Sequence, residues 1–152
     1  MKRLAALTAA LALLATASVP AREIKVIRGK SGTAGRDLIF GTSKADRLHG
    51  RGGDDGIRGG RRADRLFGGA GNDRLTGGPD RDHLNGGPGR DRLHGQSADD
   101  ALFGMAGRDF LSGGSGNDWL RGGGSGDRIE GGPGDDHARG GPGDDRIILA
   151  FG

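Results

Sequence analysis

Residues 68–94 read GGAGNDRLT GGPDRDHLN GGPGRDRLH, three nonapeptides with Gly at the first position, Asp at the sixth and Leu at the eighth. Counted in nines from Gly32, thirteen such units run to Ile148 with no insertion or deletion, and positions 1 and 6 are Gly and Asp in all of them. The aspartates are Asp37, Asp46, Asp55, Asp64, Asp73, Asp82, Asp91, Asp100, Asp109, Asp118, Asp127, Asp136 and Asp145. Position 8 is Leu or Ile in twelve units, with Ala138 the exception. A fixed period of this kind marks a repeat architecture, in which each unit is stabilised by stacking on its neighbours.

Composition points the same way. Gly supplies 35 of 152 residues, while hydrophobic residues reach 32% and aromatic ones 4%, too little for an ordinary globular core. No Cys is present, so the chain has no disulfide, thiol nucleophile or zinc-thiolate site.

The pattern G-G-x-G-x-D-x-U-x, with U a large aliphatic residue, resembles the hemolysin-type calcium-binding repeat of the RTX family, most closely in GGAGNDRLT, GGSGNDWLR and GGPGDDRII. The resemblance implies an all-β fold, a right-handed parallel β-roll with two nonapeptides per turn and about six and a half turns over residues 32–148. Each unit would be a six-residue loop followed by a three-residue strand. Several Ca2+ ions would sit between loops stacked on the same side.

Elementary chemistry fits that picture. In a short strand side chains alternate, so Leu75, Leu84 and Leu93 point inward while Arg74, His83 and Arg92 face water. Two aliphatic residues per turn make a thin core, which cannot by itself offset the ordering of so many glycines. A ligand that binds only the ordered chain is needed. Calcium suits the residues present, since it takes about six to eight oxygens from carboxylates and backbone carbonyls. Aspartates one rung apart, about 4.8 Å, would repel without it.

Alternate units fall on opposite sides of a roll, and the two sides differ. At position 4 the odd units read Gly35, Gly53, Gly71, Gly89, Gly107, Ser125 and Gly143; the even units read Lys44, Arg62, Asp80, Ala98, Gly116 and Gly134. If this position needs a backbone geometry that Gly adopts at low cost, calcium should fill one nearly continuous column at Asp37, Asp55, Asp73, Asp91 and Asp109, weakening toward Asp127 and Asp145. The other column should bind well near Asp118 and Asp136 and weakly at Asp46, Asp64, Asp82 and Asp100.

The ends differ from the repeats. Residues 1–21 carry Lys2 and Arg3, an apolar run from Leu4 to about Leu14, and small residues before two cleavage positions, after Ala17 or after Ala21. This is the pattern of a secretory signal peptide, and its apolar run is shorter than the roughly 20 residues that span a bilayer. The expectation is a secreted, extracellular chain with no stable membrane insertion. Residues 22–31 should form an N-terminal cap strand, and the apolar residues 149–152 a C-terminal cap.

Other chemistries lack the necessary spacing. Arg and Asp are interleaved rather than clustered, which argues against nucleic-acid binding. His49, His83, His94 and His137 are scattered and read as surface residues. The serines have no His set repeatedly against them, as a hydrolase triad would require. Phe103 and Trp119 should lie on the same side in adjacent turns, as a partner patch for self-association or a cell-surface ligand. The sequence therefore reads as a non-catalytic calcium-binding roll, with a calcium-stiffened adhesion or assembly module as the alternative.

Overall fold

The computed structural model describes residues 25–28 and 31–150. The signal peptide expected over residues 1–21, and Phe151 and Gly152 of the expected C-terminal cap, lie outside the described residues. Within them the chain is a parallel β-solenoid of two sheets. One sheet holds, in spatial order, β1 (Lys25–Arg28), β2 (Asp37–Phe40), β4 (Gly56–Arg58), β6 (Arg74–Gly78), β8 (Arg92–Ser97), β10 (Phe110–Ser115), β12 (Arg128–Glu130) and β14 (Arg146–Ile148). The other holds β3 (Arg47–Gly52), β5 (Arg65–Ala70), β7 (His83–Pro88), β9 (Ala101–Ala106), β11 (Trp119–Gly124) and β13 (His137–Arg139).

The register is set by the repeat. Every in-sheet pairing between repeat units joins residues eighteen apart, as in Leu75 with Leu93 and Leu84 with Leu102. Two nonapeptides therefore complete one turn, and odd and even units divide between the sheets. β1 adds a leading strand, pairing Lys25 with Asp37 through Arg28 with Phe40. This is the segment where a cap strand was expected.

The position-8 residues form the core. Ile39, Leu48, Ile57, Leu66, Leu75, Leu84, Leu93, Leu102, Leu111, Leu120 and Ile129 are at most 1% exposed, with Ile27 and Ala138 packed against the ends. At the C-terminal end Ile147 and Ile148 remain about 40% exposed. The strands are longer than the three residues expected: β9, for example, continues through Gly104, Met105 and Ala106. Pairing thus extends into what the sequence marks as loop, because positions 2 and 3 also find partners one rung away.

The turns need unusual backbone at positions 2 and 4. At position 4, Gly53, Gly71, Gly89, Gly107, Gly116, Gly134 and Gly143 have positive φ, and Arg62, Ala98 and Ser125 are forced into the same region at φ of 73 to 76°. Position 2 behaves similarly, with Arg51, Gln96 and Met105 as its non-glycine cases. A side chain here costs free energy because its Cβ crowds the backbone. Gly35, Lys44 and Asp80 are not among the positive-φ residues, so their turns follow a different path. Asp80 instead accepts a hydrogen bond from the Arg62 N–H, 2.7 Å away.

Ala98→Gly and Arg62→Gly should each stabilise the ordered chain by about 0.5–1 kcal/mol, the relief of left-handed strain less the added unfolded-state entropy. Asp80→Gly should give no gain. Chemical denaturation in calcium reads all three.

Candidate metal centre

Each position-6 aspartate turns its carboxylate inward beside the first residue of its own unit. Ten of the thirteen, from Asp37 to Asp127 apart from Asp46, are at most 3% exposed; Asp46, Asp136 and Asp145 are partly exposed. The carboxylates do not simply face one another. The backbone N–H of Asp37 donates to Oδ1 of Asp55 at 2.8 Å, and the same bond recurs eighteen residues on. Asp55 reaches Asp73 and Asp73 reaches Asp91 on the odd edge; Asp64 reaches Asp82 and Asp82 reaches Asp100 on the even edge. Both edges carry this ladder to their last rungs, Asp127 to Asp145 and Asp118 to Asp136.

One oxygen is left over. From Asp55 onward, Oδ2 of Asp55, Asp64, Asp73, Asp82, Asp91, Asp100, Asp109, Asp118, Asp127 and Asp136 is buried with no hydrogen-bond partner. Buried acceptors are rarely unpaired, since losing water without a replacement costs on the order of 1–3 kcal/mol. The first unit of each column satisfies Oδ2 locally, although Oδ1 of Asp37, buried like the other unpaired oxygens, has no hydrogen-bond partner. Thr33 and Thr42, at position 2, donate both N–H and Oγ1–H to Oδ2 of Asp37 and Asp46, at 2.5 and 2.9 Å.

The invariant glycine at position 1 explains itself at the same spot. A methyl group on Gly68 would overlap Asp73 Oδ2 and lie 2.5 Å from the Gly86 carbonyl oxygen; on Gly95 it would overlap Asp100 Oδ2 and lie 2.5 Å from the Gly113 carbonyl. A carboxylate oxygen and a carbonyl oxygen from the next rung thus converge on a space that any Cβ would fill. Among the described residues no three Asp, Glu or His side chains gather into a cage. A cation here would draw on backbone carbonyls as well, the donor set that calcium accepts and that zinc or thiophilic metals do not favour. The residues fit the ion.

Burial also shifts the acids. Desolvation, opposed by the backbone hydrogen bond and reinforced by neighbouring aspartates, lifts Asp91 and Asp100 to about 7 and Asp55 and Asp82 to about 6. Asp73 and Asp109 also rise to about 6, again chiefly through desolvation. The two edges are alike in this respect. They differ in degree in their turns: on the even edge Arg62 and Ala98 stand at left-handed φ and Lys44 and Asp80 depart from it, while on the odd edge Ser125 alone is a non-glycine residue there and Gly35 alone departs.

Some of this was not visible in the sequence. A second ladder runs outside the first at position 5: the N–H of Asn72 donates to Asp54 Oδ1 and that of Arg90 to Asn72 Oδ1. On the even edge Asn117 donates to Asp99 and Asp135 to Asn117. Asp or Asn at position 5 of successive units on one edge, Asp54 and Asn72 or Asp99, Asn117 and Asp135, was its only signal. The expected pair Phe103 and Trp119 also belongs to something larger, because position-7 and position-9 residues share the outer face. Rings of His49, Phe67, His83 and Phe103 follow one another across that face with centroids 4.5, 6.2 and 5.1 Å apart, and Trp119 packs on His137 at 4.2 Å. Phe67 is thus a further outward aromatic on this face, and three of the histidines scattered in sequence, His49, His83 and His137, join these contacts.

A parallel solenoid whose buried carboxylates stack at rung spacing belongs to the class of metal-stapled repeat proteins. The family model described as RTX calcium-binding nonapeptide repeat matches in four copies, over residues 31–61, 58–93, 94–127 and 121–152, and the chain belongs to that family. Its repeats bind Ca2+, and their number implies several sites. No curated protein and no solved structure matches the chain.

The carboxylate shifts give a pH dependence whose sign is fixed. With divalent ions removed, raised pKa values mean that the ordered form holds more protons than the disordered one between about pH 4 and 7, so its stability falls as pH rises through that window. In chelator, acidification from pH 7.5 to about 5 should increase β-structure. At about pH 5, where acid has ordered the metal-free chain, calcium binding should release protons, and at pH 8 very few. Calorimetry in two buffers of different ionisation enthalpy measures the release; identical heats at about pH 5 from a chain ordered in chelator would contradict it.

Proposed function

We propose that this is an exported, non-catalytic protein that acquires its roll structure by binding calcium along both edges, through Asp37 to Asp145 at position 6. The observation that carries the reading is the run of buried, unpartnered Oδ2 atoms beside position-1 glycines. Ten uncompensated acceptors in a thin core weigh against an ordered metal-free chain at neutral pH. A divalent cation turns mutual repulsion into cross-linking of successive rungs. The apolar, basic-headed residues 1–21 support export. No helix among the described residues is long and apolar enough to cross a membrane.

The odd edge is proposed as the tighter column, because its turns keep glycine at position 4 from Gly53 to Gly107. The even edge tightens only where Gly116 and Gly134 restore the same turn. A second reading, a calcium-stiffened assembly module, rests on the aromatic face: Trp119, packed on His137, is 52% exposed there.

Far-UV circular dichroism of the chain should show little β-structure in chelator at pH 7.5 and a cooperative gain with calcium that magnesium does not reproduce. A chain fully ordered in chelator at that pH would overturn the proposal. Asp91→Asn should raise the calcium midpoint several-fold, and more than Asp82→Asn does. Trp119→Ser should leave calcium-induced ordering intact while reducing self-association in analytical ultracentrifugation; unchanged association removes the second reading.

A further inference from the structure

In the sequence, acids and bases alternate and nearly cancel. In space they separate. Residues 32–148 contain seventeen Arg and Lys side chains, every one of them exposed, and nineteen carboxylates, thirteen of which are the inward-turned position-6 aspartates. The outer surface is left with six carboxylates, Asp54, Asp80, Asp99, Glu130, Asp135 and Asp144, against seventeen cations, an excess of eleven positive charges.

The excess has a focus. On the odd-edge sheet, position 7 reads Arg74, Arg92, Phe110, Arg128 and Arg146 on five consecutive strands in register. A straight row of this kind covers about 19 Å, four rungs of about 4.8 Å. Beside it stand Arg90 and Arg108 at position 5 of adjacent rungs. Arg90, Arg92, Arg108 and Arg128 line one open groove of about 680 Å³ together with Asn72, Phe110 and the inward-turned Asp91 and Asp109, which are at most 2% exposed at its floor. Arg128 pairs with Glu130 at 2.5 Å, but Arg90, Arg92 and Arg108 have no ion-pair partner among the described residues. The local potential is felt by His94, which burial, together with Arg74 and Arg92, holds below its usual pKa.

We propose that this groove binds a linear anionic polysaccharide, with sulfate or carboxylate groups held by Arg90, Arg92 and Arg108. Guanidinium groups take both kinds of group through paired N–H donors, and a straight row suits an extended chain lying along the roll axis. Duplex nucleic acid presents its phosphates on a helical path, which meets such a row only briefly. Single strands gain much of their affinity by stacking bases on open aromatic faces. Phe110, the groove's one ring, is already approached by the Arg128 guanidinium at 5.7 Å and by His94 at 5.5 Å. The proposal rests on the calcium-ordered roll, since the row exists only when the rungs are stacked.

The test uses the chain in calcium, with circular dichroism recorded on every sample to establish that it is ordered. Dextran sulfate, neutral dextran of equal length and an oligothymidylate are compared as ligands at 0.15 M and 1 M salt. Binding to dextran sulfate alone, lost at 1 M salt, is expected. The triple variant Arg90→Ser, Arg92→Ser, Arg108→Ser should bind it at least tenfold more weakly. A charge-matched control, Lys44→Ser, Arg61→Ser, Arg62→Ser on the other edge, should change affinity less than threefold. Ordered protein that ignores dextran sulfate, prefers the oligothymidylate, or loses equally from both triple variants overturns the groove. Failure to order in calcium is a failure of the calcium reading instead, and the dichroism separates the two.

Discussion

The structure depends on a hydrogen bond that reaches eighteen residues, from the backbone N–H of one position-6 aspartate to Oδ1 of the next aspartate on the same edge. This bond fixes each carboxylate against the rung beside it and draws it out of water. It uses only one of the two oxygens. The second is left buried in a space kept open by the missing side chain of a position-1 glycine. Two features of the repeat, the invariant Asp and the invariant Gly, are thus a single arrangement: the first supplies the charge and the second the room. Calcium's demand for several oxygens at once is what makes the arrangement favourable rather than costly.

The threonines that begin each column show the same requirement from the opposite direction. At Asp37 and Asp46 the Thr33 and Thr42 hydroxyls and amides occupy Oδ2, and those are the two first-rung acids. Glycine holds position 2 in most later units, and no side chain answers the carboxylate there. The chain can therefore satisfy this oxygen with its own groups and, past the first turn, does not.

Much of this was legible in the letters. The position-8 aliphatics announced the core, and the nine-residue phase announced which residues would share an edge. What the letters concealed came from three-dimensional neighbours eighteen residues apart. Strand length was underestimated because Met105 and Ala106 do not look like strand, yet they pair with the rungs on either side. Thr33 and Thr42 carried no visible signal, since their role depends on a carboxylate folding back over four residues. The charge pattern was the most misleading feature. Interleaved Arg and Asp suggest a neutral surface, but the strand-and-turn alternation sends one inward and the other outward.

The eighteen-residue reach of these bonds sits uneasily with a nine-residue unit. Duplicating two units lengthens the roll by one turn and returns every downstream residue to its own edge. Duplicating or losing one unit keeps the local motif intact but exchanges the edges of everything that follows, carrying half of the arginine row to the opposite side. Growth of such a chain by single repeats would scramble its two faces, whereas growth by pairs would preserve them. The difference between the odd and even columns is therefore heritable only if the gene changes length in even steps.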